Sequence, residues 1–466
     1  MRPDDRARAA QLHARLDRLP ATRAVWRLVL MLSLGGAFEY YDLFLMGYIG
    51  PGLVRSGLFT AGSTTLFGLS GLAAFVGATF TGLFIGTLVF SVAADTFGRR
   101  AVFTWSLLWY TAATCIMAMQ STTVGVLVWR ILTGVGLGIE LVTIDTYLAE
   151  LMPRDIRGRA FAVNQVVQFS AVPFVALVAW LLVPRAPLGV AGWRWVVLIG
   201  GVSAVLVWSI RRAVPESPRW LIARNRLDDA EQVTAAMERA VEADLHTSLP
   251  VPPVPNITMD TPAQAAPGVR RIFSSAYRSR TVMLMVFNAA QTIGYYGFAS
   301  WVPTLLIARG ITTTTSLAYS FAIALAAPVG PLIVSRFADR LDRRWQIALS
   351  AAAIALVGLA FAQASGVALI LLGVLLTCSN NWMSVAFHAY QAELFPTDIR
   401  AQAVGFVYSW SRFSAIFTSL VIGVLLTRFG VTGVFVFIAA AMAVAGGSVG
   451  IFGPRTSGLA LEHIAS

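Results

Sequence analysis

Two acidic residues lie inside an apolar stretch near the start of the chain. The stretch runs from Val25 to Ile49 and contains Glu39 and Asp42, and roughly 20 such residues suffice for a helix to cross a bilayer. Because the two acids are three residues apart, both carboxylates project from one helix face. Carboxylates are costly at membrane depth and usually face a polar interior or a water-filled path. We therefore predict a proton-titrating site on this helix; the alternative is that one acid forms a structural ion pair.

Polar side chains also occur in other apolar stretches of the chain. Amide and aromatic groups suit hydrogen bonding and stacking on a small organic solute, although bonds between helices explain any single one of them equally well. Histidine titrates near physiological pH, so His388 is also a candidate for titration, with a neutral, hydrogen-bonded ring as the alternative. Arg412 is a cation that could bind a carboxylate of the solute. It could equally pair with an acid of the protein or lie near a hydrated helix end. The predicted solute ligands are Tyr41, Gln165, Gln168, Asn288, Gln291, Tyr295, Asn381, Trp382, His388 and Arg412.

The composition of the chain is that of a membrane protein. It is 57% hydrophobic and only 12% charged, whereas charged residues make up about a quarter of an ordinary soluble protein. Several apolar segments of spanning length follow one another, which predicts a polytopic, all-α integral membrane protein. The two cysteines, Cys115 and Cys378, lie in apolar segments, so no disulfide framework is expected. The sequence shows no nucleotide-binding loop, metal-spaced cluster or nucleophile triad, so we expect neither an enzyme nor a cofactor.

The positive charge of the chain is carried by arginine, and its distribution predicts the topology. The net charge is +12 and the sequence contains no lysine. Arginines cluster in alternate connections between apolar segments, for example Arg154–Arg159 and Arg211–Arg280, and are sparse in the opposite set. An excess of basic residues marks cytoplasmic loops, so we predict a multi-pass protein of the cell membrane with both termini in the cytoplasm. The charge is thus assigned to topology and not to nucleic-acid binding.

Twelve apolar segments divide into two groups of six. The polar connection between the groups has a helix-forming part, Leu227 to Leu245, and a proline-rich part, Pro250 to Pro267, that we predict to be a flexible linker. The predicted domains are an N-terminal cytoplasmic segment 1–24, a six-helix bundle 25–213, a cytoplasmic linker 214–279, a second six-helix bundle 280–453 and a cytoplasmic tail 454–466. The predicted spans are 25–49, 67–92, 101–121, 123–147, 159–183, 193–213, 281–306, 316–337, 345–364, 367–391, 400–427 and 430–452.

Two sequence motifs occur in both halves at the same offset. ADTFGRR from Ala94 corresponds to ADRLDRR from Ala338, and YLAELMPRDIRGRA from Tyr147 corresponds to YQAELFPTDIRAQA from Tyr390. The offset is about 243 residues in both cases, which a duplicated six-helix unit explains better than chance. Such repeats are typical of secondary transporters, in which the solute binds between the halves near the middle of the membrane.

With two further motifs, these residues resemble the major facilitator superfamily over essentially the whole chain. The loop Asp95–Arg100 resembles the signature loop between spans two and three, WRILTG from Trp129 resembles the fourth-span arginine motif, and PESPRWL from Pro215 resembles the end of the first half in sugar porters. The AELFPTDIRAQAVG and EYYD sequences are similar to the metabolite:proton symporter, aromatic-acid and niacin-transporter-like branches. Sugar porters commonly have a tryptophan five residues before the tenth-span glutamate; here that residue is His388, which argues against a sugar.

The resemblance implies a partner for Arg130, which lies in the fourth predicted span. An unpaired guanidinium is costly at that depth, and the family pattern brings it near an acid of the first span, with Asp42 favoured over Glu39. The pair would open when the acid takes up a proton; a static tie between helices is the alternative. Glu140 resembles an acid of the niacin-like branch and is the second proton candidate. Pairs of acids and arginines at the cytoplasmic ends would latch the halves in one access state. The predicted gating residues are Asp95, Arg99, Arg100, Glu150, Arg157, Asp339, Arg343, Arg344, Glu393 and Arg400.

The predicted function is proton-coupled symport of a small organic solute, expected to be an organic acid or related metabolite, by alternating access in a twelve-helix major facilitator fold. Proton-driven export of small molecules or drugs, and solute sensing without transport, are the alternatives. The expected partners are the solute, protons and membrane lipid, and the chain is expected to act as a monomer.

Overall fold

The computed structural model describes residues 3–59, 71–153, 156–211, 214–252, 269–275, 277–335, 341–395 and 399–456. Throughout these ranges the chain forms α-helices joined by short connections, one of which is a 3-10 turn at Pro187–Gly189. The helices are α1 (Pro3–Asp17), α2 (Arg23–Arg55), α3 (Gly71–Phe97), α4 (Arg99–Met119), α5 (Thr123–Leu151), α6 (Arg157–Leu182), α7 (Gly192–Arg211), α8 (Pro218–Ala223), α9 (Leu227–Leu245), α10 (Val269–Ile272), α11 (Arg278–Ala299), α12 (Val302–Ala308), α13 (Thr313–Ala324), α14 (Val329–Ser335), α15 (Arg343–Gln363), α16 (Gly366–Glu393) and α17 (Arg400–Phe452).

Within the described ranges these helices form twelve spans in two groups of six, as predicted. The first six spans are α2 to α7, and the ninth and tenth are α15 and α16. Helix α17 supplies both the eleventh and the twelfth, because Gly430 interrupts it with φ 65° and ψ −165°, a conformation that glycine adopts without steric cost. Within the described ranges, nine helices are long and apolar enough to cross a membrane.

The seventh and eighth spans are each interrupted, which the sequence prediction does not show. Helix α11 is followed by α12, and α13 by α14, after short breaks. Pro303 lies in the first turn of α12, and Pro328 directly precedes α14; proline lacks the N–H that a continuous helix needs. At the first break α2 comes very close, since a Cβ on Gly47 would lie 2.6 Å from the carbonyl oxygen of Ser300.

The two ends of the bundle differ. We call the end where α1, α8 and α9 lie the linker end, because it carries the connection between the halves, and we call the other one the opposite end. Across the halves, α2 packs on α12, α6 on α13 and α3 on α17; near the opposite end Trp180 stacks on Phe321 with 5.9 Å between ring centroids. Nearer the linker end, the side chains of Asp145 and His388 are exposed. The bundle is therefore closed at the opposite end and open toward the linker end.

Helices α1 and α9 are joined by a cluster of ion pairs at the linker end. Arg15 binds Glu231 at 2.7 Å and Glu238 at 2.5 Å, and Arg18 also binds Glu238. The hydrogen bond from Arg15 lowers the pKa of Glu231. Burial raises the pKa of Glu238, but its hydrogen bonds with Arg15 and Arg18 outweigh burial and lower the pKa overall. The predicted helix-forming stretch is thus α9, whereas residues 253–267 of the proline-rich part lie outside the described residues.

Candidate functional site

Asp42 and Arg130 form a buried ion pair between α2 and α5. Nη1 of Arg130 lies 2.7 Å from Oδ1 of Asp42, and Nη2 donates to the backbone carbonyl oxygen of Asp42 at 2.8 Å. Arg130 is fully buried and Asp42 is 4% exposed. The structure therefore brings together the two residues that the resemblance implied, while a role in proton transfer stays a prediction.

Helices α3 and α4 complete the surroundings of this pair. Thr114 of α4 donates to Oδ2 of Asp42 at 2.8 Å, and Nε of Arg130 donates to the hydroxyl of Thr79 of α3 at 2.8 Å. The guanidinium also lies 5.3 Å from the centre of the Phe75 ring. Both carboxylate oxygens thus accept a hydrogen bond, an arrangement that compensates an ionised acid for the loss of water. The sequence prediction missed Thr79 and Thr114, because nothing distinguishes them from the other threonines of the spans.

Small residues let α5 approach α3 closely enough for this cluster to form. A Cβ on Gly134 would lie 2.5 Å from the carbonyl oxygen of Thr79, and a Cβ on Gly82 would lie 2.2 Å from the carbonyl oxygen of Ile131. Gly134 is one turn beyond Arg130, so this close contact lies beside the ion pair. The two glycines therefore fix the distance between the helices that carry Thr79 and Arg130.

Glu39 and Glu140 are the other predicted proton sites, and both are buried. Their exposed fractions are 1% and 0%. Glu39 is one turn from Asp42 on the linker-end side, and Glu140 lies ten residues beyond Arg130, about 15 Å along the helix axis at 1.5 Å per residue. The N-terminal half thus holds a series of buried ionisable side chains that runs from the Asp42–Arg130 pair toward the linker end.

Arg412 of α17 is the buried cation of the other half. It is 5% exposed; Nη1 donates to the hydroxyl of Tyr296 at 2.9 Å, and Nη2 donates to that of Tyr408 at 3.4 Å. Its guanidinium carbon lies 5.1 Å from the centre of the Tyr408 ring. Among the described residues, no carboxylate lies within 4 Å of its nitrogens. Pairing of Arg412 with a described acid is therefore not observed, and its binding of a solute carboxylate stays a prediction. The predicted solute ligands include neither of the tyrosines that hold its guanidinium.

A partly open cavity of about 50 Å³ lies between the halves, on the opposite-end side of the centre. Phe44 and Phe169 face it from the N-terminal half, and Tyr295 and Asn381 face it from the C-terminal half. The rings of Phe44 and Tyr295 lie 6.5 Å apart across the boundary. Two of the predicted solute ligands, Tyr295 and Asn381, therefore line a cavity that has mainly aromatic and aliphatic walls.

Several other predicted ligands form bonds within the protein. Tyr41 donates to the carbonyl of Val196 at 2.7 Å, Asn288 to Gln391 at 3.4 Å, Asn381 to the carbonyl of Ala327 at 3.0 Å and Trp382 to Gln346 at 3.1 Å. In this conformation these four side chains form hydrogen bonds to other segments of the protein, which is the alternative that the sequence analysis gave for them. Their contact with solute stays a prediction.

The remaining predicted ligands lie on three helices. Gln291 is buried on α11 and bonds to Thr292 at 3.2 Å. On α6, Gln165 is half-buried, and Gln168 is buried beside Gly36 of α2. His388 is exposed on α16, where it bonds to the carbonyl of Ser384 at 2.7 Å and stacks on Phe387 with 4.1 Å between ring centroids. Gln168 and His388 thus lie in different halves, and contact of either with solute stays a prediction.

The predicted gating residues form two equivalent ion pairs at the linker end. Arg99 binds Glu150 at 2.9 Å, and Arg343 binds Glu393 at 2.8 Å. Each pair ties helices of one half and does not itself bridge the halves. The other described gating residues make backbone contacts: the backbone N–H of Arg100 donates to Glu216, Arg157 donates to the carbonyl of Met152, and Arg344 donates to the carbonyl of Gly453. The side chains of Asp95 and Arg400, and the whole of Asp339, lie outside the described residues.

The sequence is similar to a family of known transporters. The family model described as "Sugar (and other) transporter" matches residues 28–466. The niacin transporter NiaP of Acinetobacter baylyi is 28% identical over 456 residues, which cover 97% of this chain and 99% of the relative. The inner membrane metabolite transport protein YdjE of Escherichia coli is 28% identical over 465 residues, covering 97% and 98% of the two chains.

Solved structures agree with the fold. The inward open conformation of the xylose transporter XylE from E. coli superimposes with a TM-score of 0.72 at 21% sequence identity, covering 94% of this chain and 99% of that one. At this level of identity the likeness applies to the arrangement of the helices.

Proposed function

Because the chain belongs to the family of sugar and other transporters within the major facilitator superfamily, we propose that it is a proton-coupled symporter of a small organic acid. Its relatives are membrane transporters of metabolites and not enzymes. Proton coupling and the acidic solute are the parts of this proposal that rest on the candidate site.

The observation that carries the proposal is the buried Asp42–Arg130 pair. Loss of the charge on one member of a buried pair is strongly destabilising, because it leaves the other charge without compensation. A proton on Asp42 removes the charge that holds Arg130 Nη1 at 2.7 Å. The pair then opens and α2 shifts relative to α5, so that protonation favours one access state over the other. Proton uptake and the change of access are thus coupled at one site.

The C-terminal half supplies the argument for an organic acid. Arg412 is buried and held by two tyrosine hydroxyls, so its guanidinium is oriented but not neutralised by a described carboxylate. A planar carboxylate matches the geometry of a guanidinium, with two parallel N–H donors. The niacin of the relative NiaP is an aromatic carboxylic acid, and aromatic rings such as Tyr295 and Phe169 line the cavity between the halves.

The proposed orientation follows from the arginines of the connections. The linker end, with its many arginines, faces the cytoplasm, and both termini lie there. The conformation that is open toward the linker end is then the one that releases solute into the cell. The protein acts as a monomer, because each chain contains the complete set of proposed proton and solute residues.

Uptake into proteoliposomes tests this proposal. With an inward proton gradient, the purified protein should accumulate a radiolabelled aromatic acid such as nicotinate above its external concentration, and collapse of the gradient with a protonophore should release it. Reversal of the gradient should drive efflux from preloaded vesicles, which separates import from export.

Two controls make the uptake result decisive. Two other solutes are offered in parallel. Xylose is a sugar, and nicotinamide is a neutral amide with the same ring as nicotinate. The organic-acid proposal would be contradicted if the protein accumulated xylose but none of a panel of aromatic and aliphatic carboxylates. Proton coupling would be contradicted if accumulation did not depend on the pH gradient.

A further inference from the structure

A second and larger cavity lies at the linker end, between the start of α2 and helix α9. It is open to the surface, and its volume is about 570 Å³, more than ten times that of the cavity between the halves. Its walls are mostly apolar, with Leu28 and Met31 from α2 and Val233 and Met237 from α9. We call this cavity the α2–α9 groove. Its size and its apolar walls suit a flexible hydrocarbon chain better than a small polar solute.

Two arginines stand at the rim of the groove. Arg23 and Arg27 both line it, both are exposed, and they are one helical turn apart on the same face of α2. Asp244 also lines the groove, but its carboxylate accepts a hydrogen bond from the backbone N–H of Ala24 at 2.6 Å. The rim therefore carries two positive charges and one negative charge, and it complements an anion.

The same face of α2 continues into the membrane. Leu30 and Leu34 follow Arg27 at spacings of three and seven residues, and they are 46% and 39% exposed. In a membrane protein such exposed leucines on a spanning helix contact lipid tails. Arg23 and Arg27 therefore extend a lipid-facing stripe at the level where the spanning helix begins, which is the level of the lipid headgroups.

From these observations we propose that the α2–α9 groove binds one anionic phospholipid. Its phosphate lies between Arg23 and Arg27, and one acyl chain enters the apolar part of the groove along Leu28 and Met237. Basic pockets beside spanning helices are a known kind of site for anionic headgroups. A free phosphate or a soluble phosphate ester would satisfy the arginines but would leave the apolar walls exposed to water.

A lipid in this position connects the first span to the linker helix. Helix α2 carries Asp42, and α9 holds α1 through Arg15 and Arg18, so the groove lies between the spanning helix of the proposed proton site and the α1–α9 cluster. The proposal does not depend on which solute is transported, because it concerns a surface of the N-terminal half alone.

Lipid binding to the purified full-length protein in detergent tests the proposal. Native mass spectrometry is used to compare dioleoyl phosphatidylglycerol with dioleoyl phosphatidylcholine, which have the same chains but different headgroup charge. We expect the wild type to retain phosphatidylglycerol preferentially. The double variant Arg23→Gln/Arg27→Gln should bind it about 30-fold more weakly, the scale expected when two basic residues that face an anionic lipid are removed.

Matched variants distinguish lipid binding in the groove from lipid binding that depends only on the overall positive charge of the protein. Arg159 and Arg278 are exposed arginines in the first turns of α6 and α11, and Arg159→Gln/Arg278→Gln should change phosphatidylglycerol binding by less than about twofold on the same scale. Ala240 lines the groove, whereas Gln232 is exposed on α9 and does not. Ala240→Trp should therefore reduce lipid binding, and Gln232→Trp should leave it unchanged.

Three results would overturn the proposal. The first is equal loss of phosphatidylglycerol in the two double-arginine variants, which would assign binding to overall charge. The second is undiminished binding in both Arg23→Gln/Arg27→Gln and Ala240→Trp. The third is full competition by sn-glycerol 3-phosphate, a soluble headgroup analogue, which would identify the groove as a site for a free phosphate ester. Unchanged thermal midpoints confirm that each variant is folded.

Discussion

The two halves of the bundle carry the same ion pair at the linker end but different charges in the core. Arg99–Glu150 and Arg343–Glu393 occupy equivalent positions of the internal repeat, and their N–O distances are 2.9 and 2.8 Å. The tyrosines of the repeated motif also agree. Tyr147 donates to the carbonyl of Pro215, and Tyr390 donates to the carbonyl of Pro454. The duplicated unit has thus kept one set of contacts at this end.

In the core the halves have diverged. At the same offset of about 243 residues, Arg130 corresponds to Gly373 and Arg412 corresponds to Phe169. The N-terminal half therefore contains a neutralised arginine–aspartate pair, whereas the C-terminal half contains an arginine held by tyrosines. On our proposal the first half handles the proton and the second handles the solute anion, while the shared linker-end pairs serve the change of access in both.

The largest expected effect is on the proton site. Asp42→Asn mimics the protonated acid with nearly unchanged shape, so it should abolish accumulation of solute against a gradient while solute exchange stays measurable. The measurement is uptake into proteoliposomes with and without a pH gradient, compared with counterflow at equal pH. Glu39→Gln, one turn away and equally buried, is the matched control and should retain accumulation. Loss of uphill uptake in Glu39→Gln but not in Asp42→Asn would assign coupling to the other carboxylate.

The next effect concerns the cation of the C-terminal half. Arg412→Gln removes a charged hydrogen bond to the solute, worth about 1.5–3 kcal/mol, so affinity for an aromatic acid should fall by roughly 10- to 100-fold. Binding is measured by calorimetry on the purified protein with nicotinate and with the neutral nicotinamide. The acid should lose far more affinity than the amide. An equal loss for both would show that Arg412 supports the structure and does not bind the carboxylate.

A smaller effect is expected at the repeated ion pairs. Glu150→Gln and Glu393→Gln each weaken one pair, and both should change the transport rate several-fold while solute affinity stays within about twofold, because a partly exposed ion pair contributes up to about 1 kcal/mol. The side chains of the N-terminal pair are 10% and 18% exposed, against 27% and 21% for the C-terminal pair, so Glu150→Gln should have the larger effect. A collapse of affinity with a normal rate would contradict an access role.

The smallest effect is the pH dependence of the contact between α1 and α9. The pKa values of Glu231 and Glu238 are lowered from an ordinary value of 4.5. Their contribution to docking is therefore complete above pH 4.5 and is lost as the pH falls through the lowered values. Spin-label distances between Gln11→Cys and Gln232→Cys, with both native cysteines replaced, should stay constant from pH 8 to pH 5 and broaden in stronger acid.

Charge removal tests the same contact at neutral pH. Glu231→Gln/Glu238→Gln should already show broadened distances there, with little further change in acid. Asp229→Asn is the control, since Asp229 pairs with Arg226 on its own side of the linker and not with α1. Broadening of equal size in the control would contradict a specific role for the Arg15 and Arg18 pairs.

The sequence by itself determined the class of the protein and the order of its spans. Apolar segments of spanning length must form helices in a membrane, because backbone groups find no water there, and the repeat from Tyr147 and Tyr390 reveals the duplication. The costly positions of Asp42, Arg130 and Arg412 were visible for the same reason, since charged residues are rare at this depth.

Only the tertiary structure decided which partners those residues have. The hydroxyl of Thr79 reaches Arg130 because Gly134 lets α5 approach α3, and the hydroxyl of Thr114 reaches Asp42 from α4. No pattern along one helix encodes these distances. In the same way, the tyrosine partners of Arg412 and the groove between α2 and α9 arise from packing between segments far apart in sequence. Spacing along a helix fixes which face a side chain occupies, but what lies opposite that face depends on how all the helices fit together.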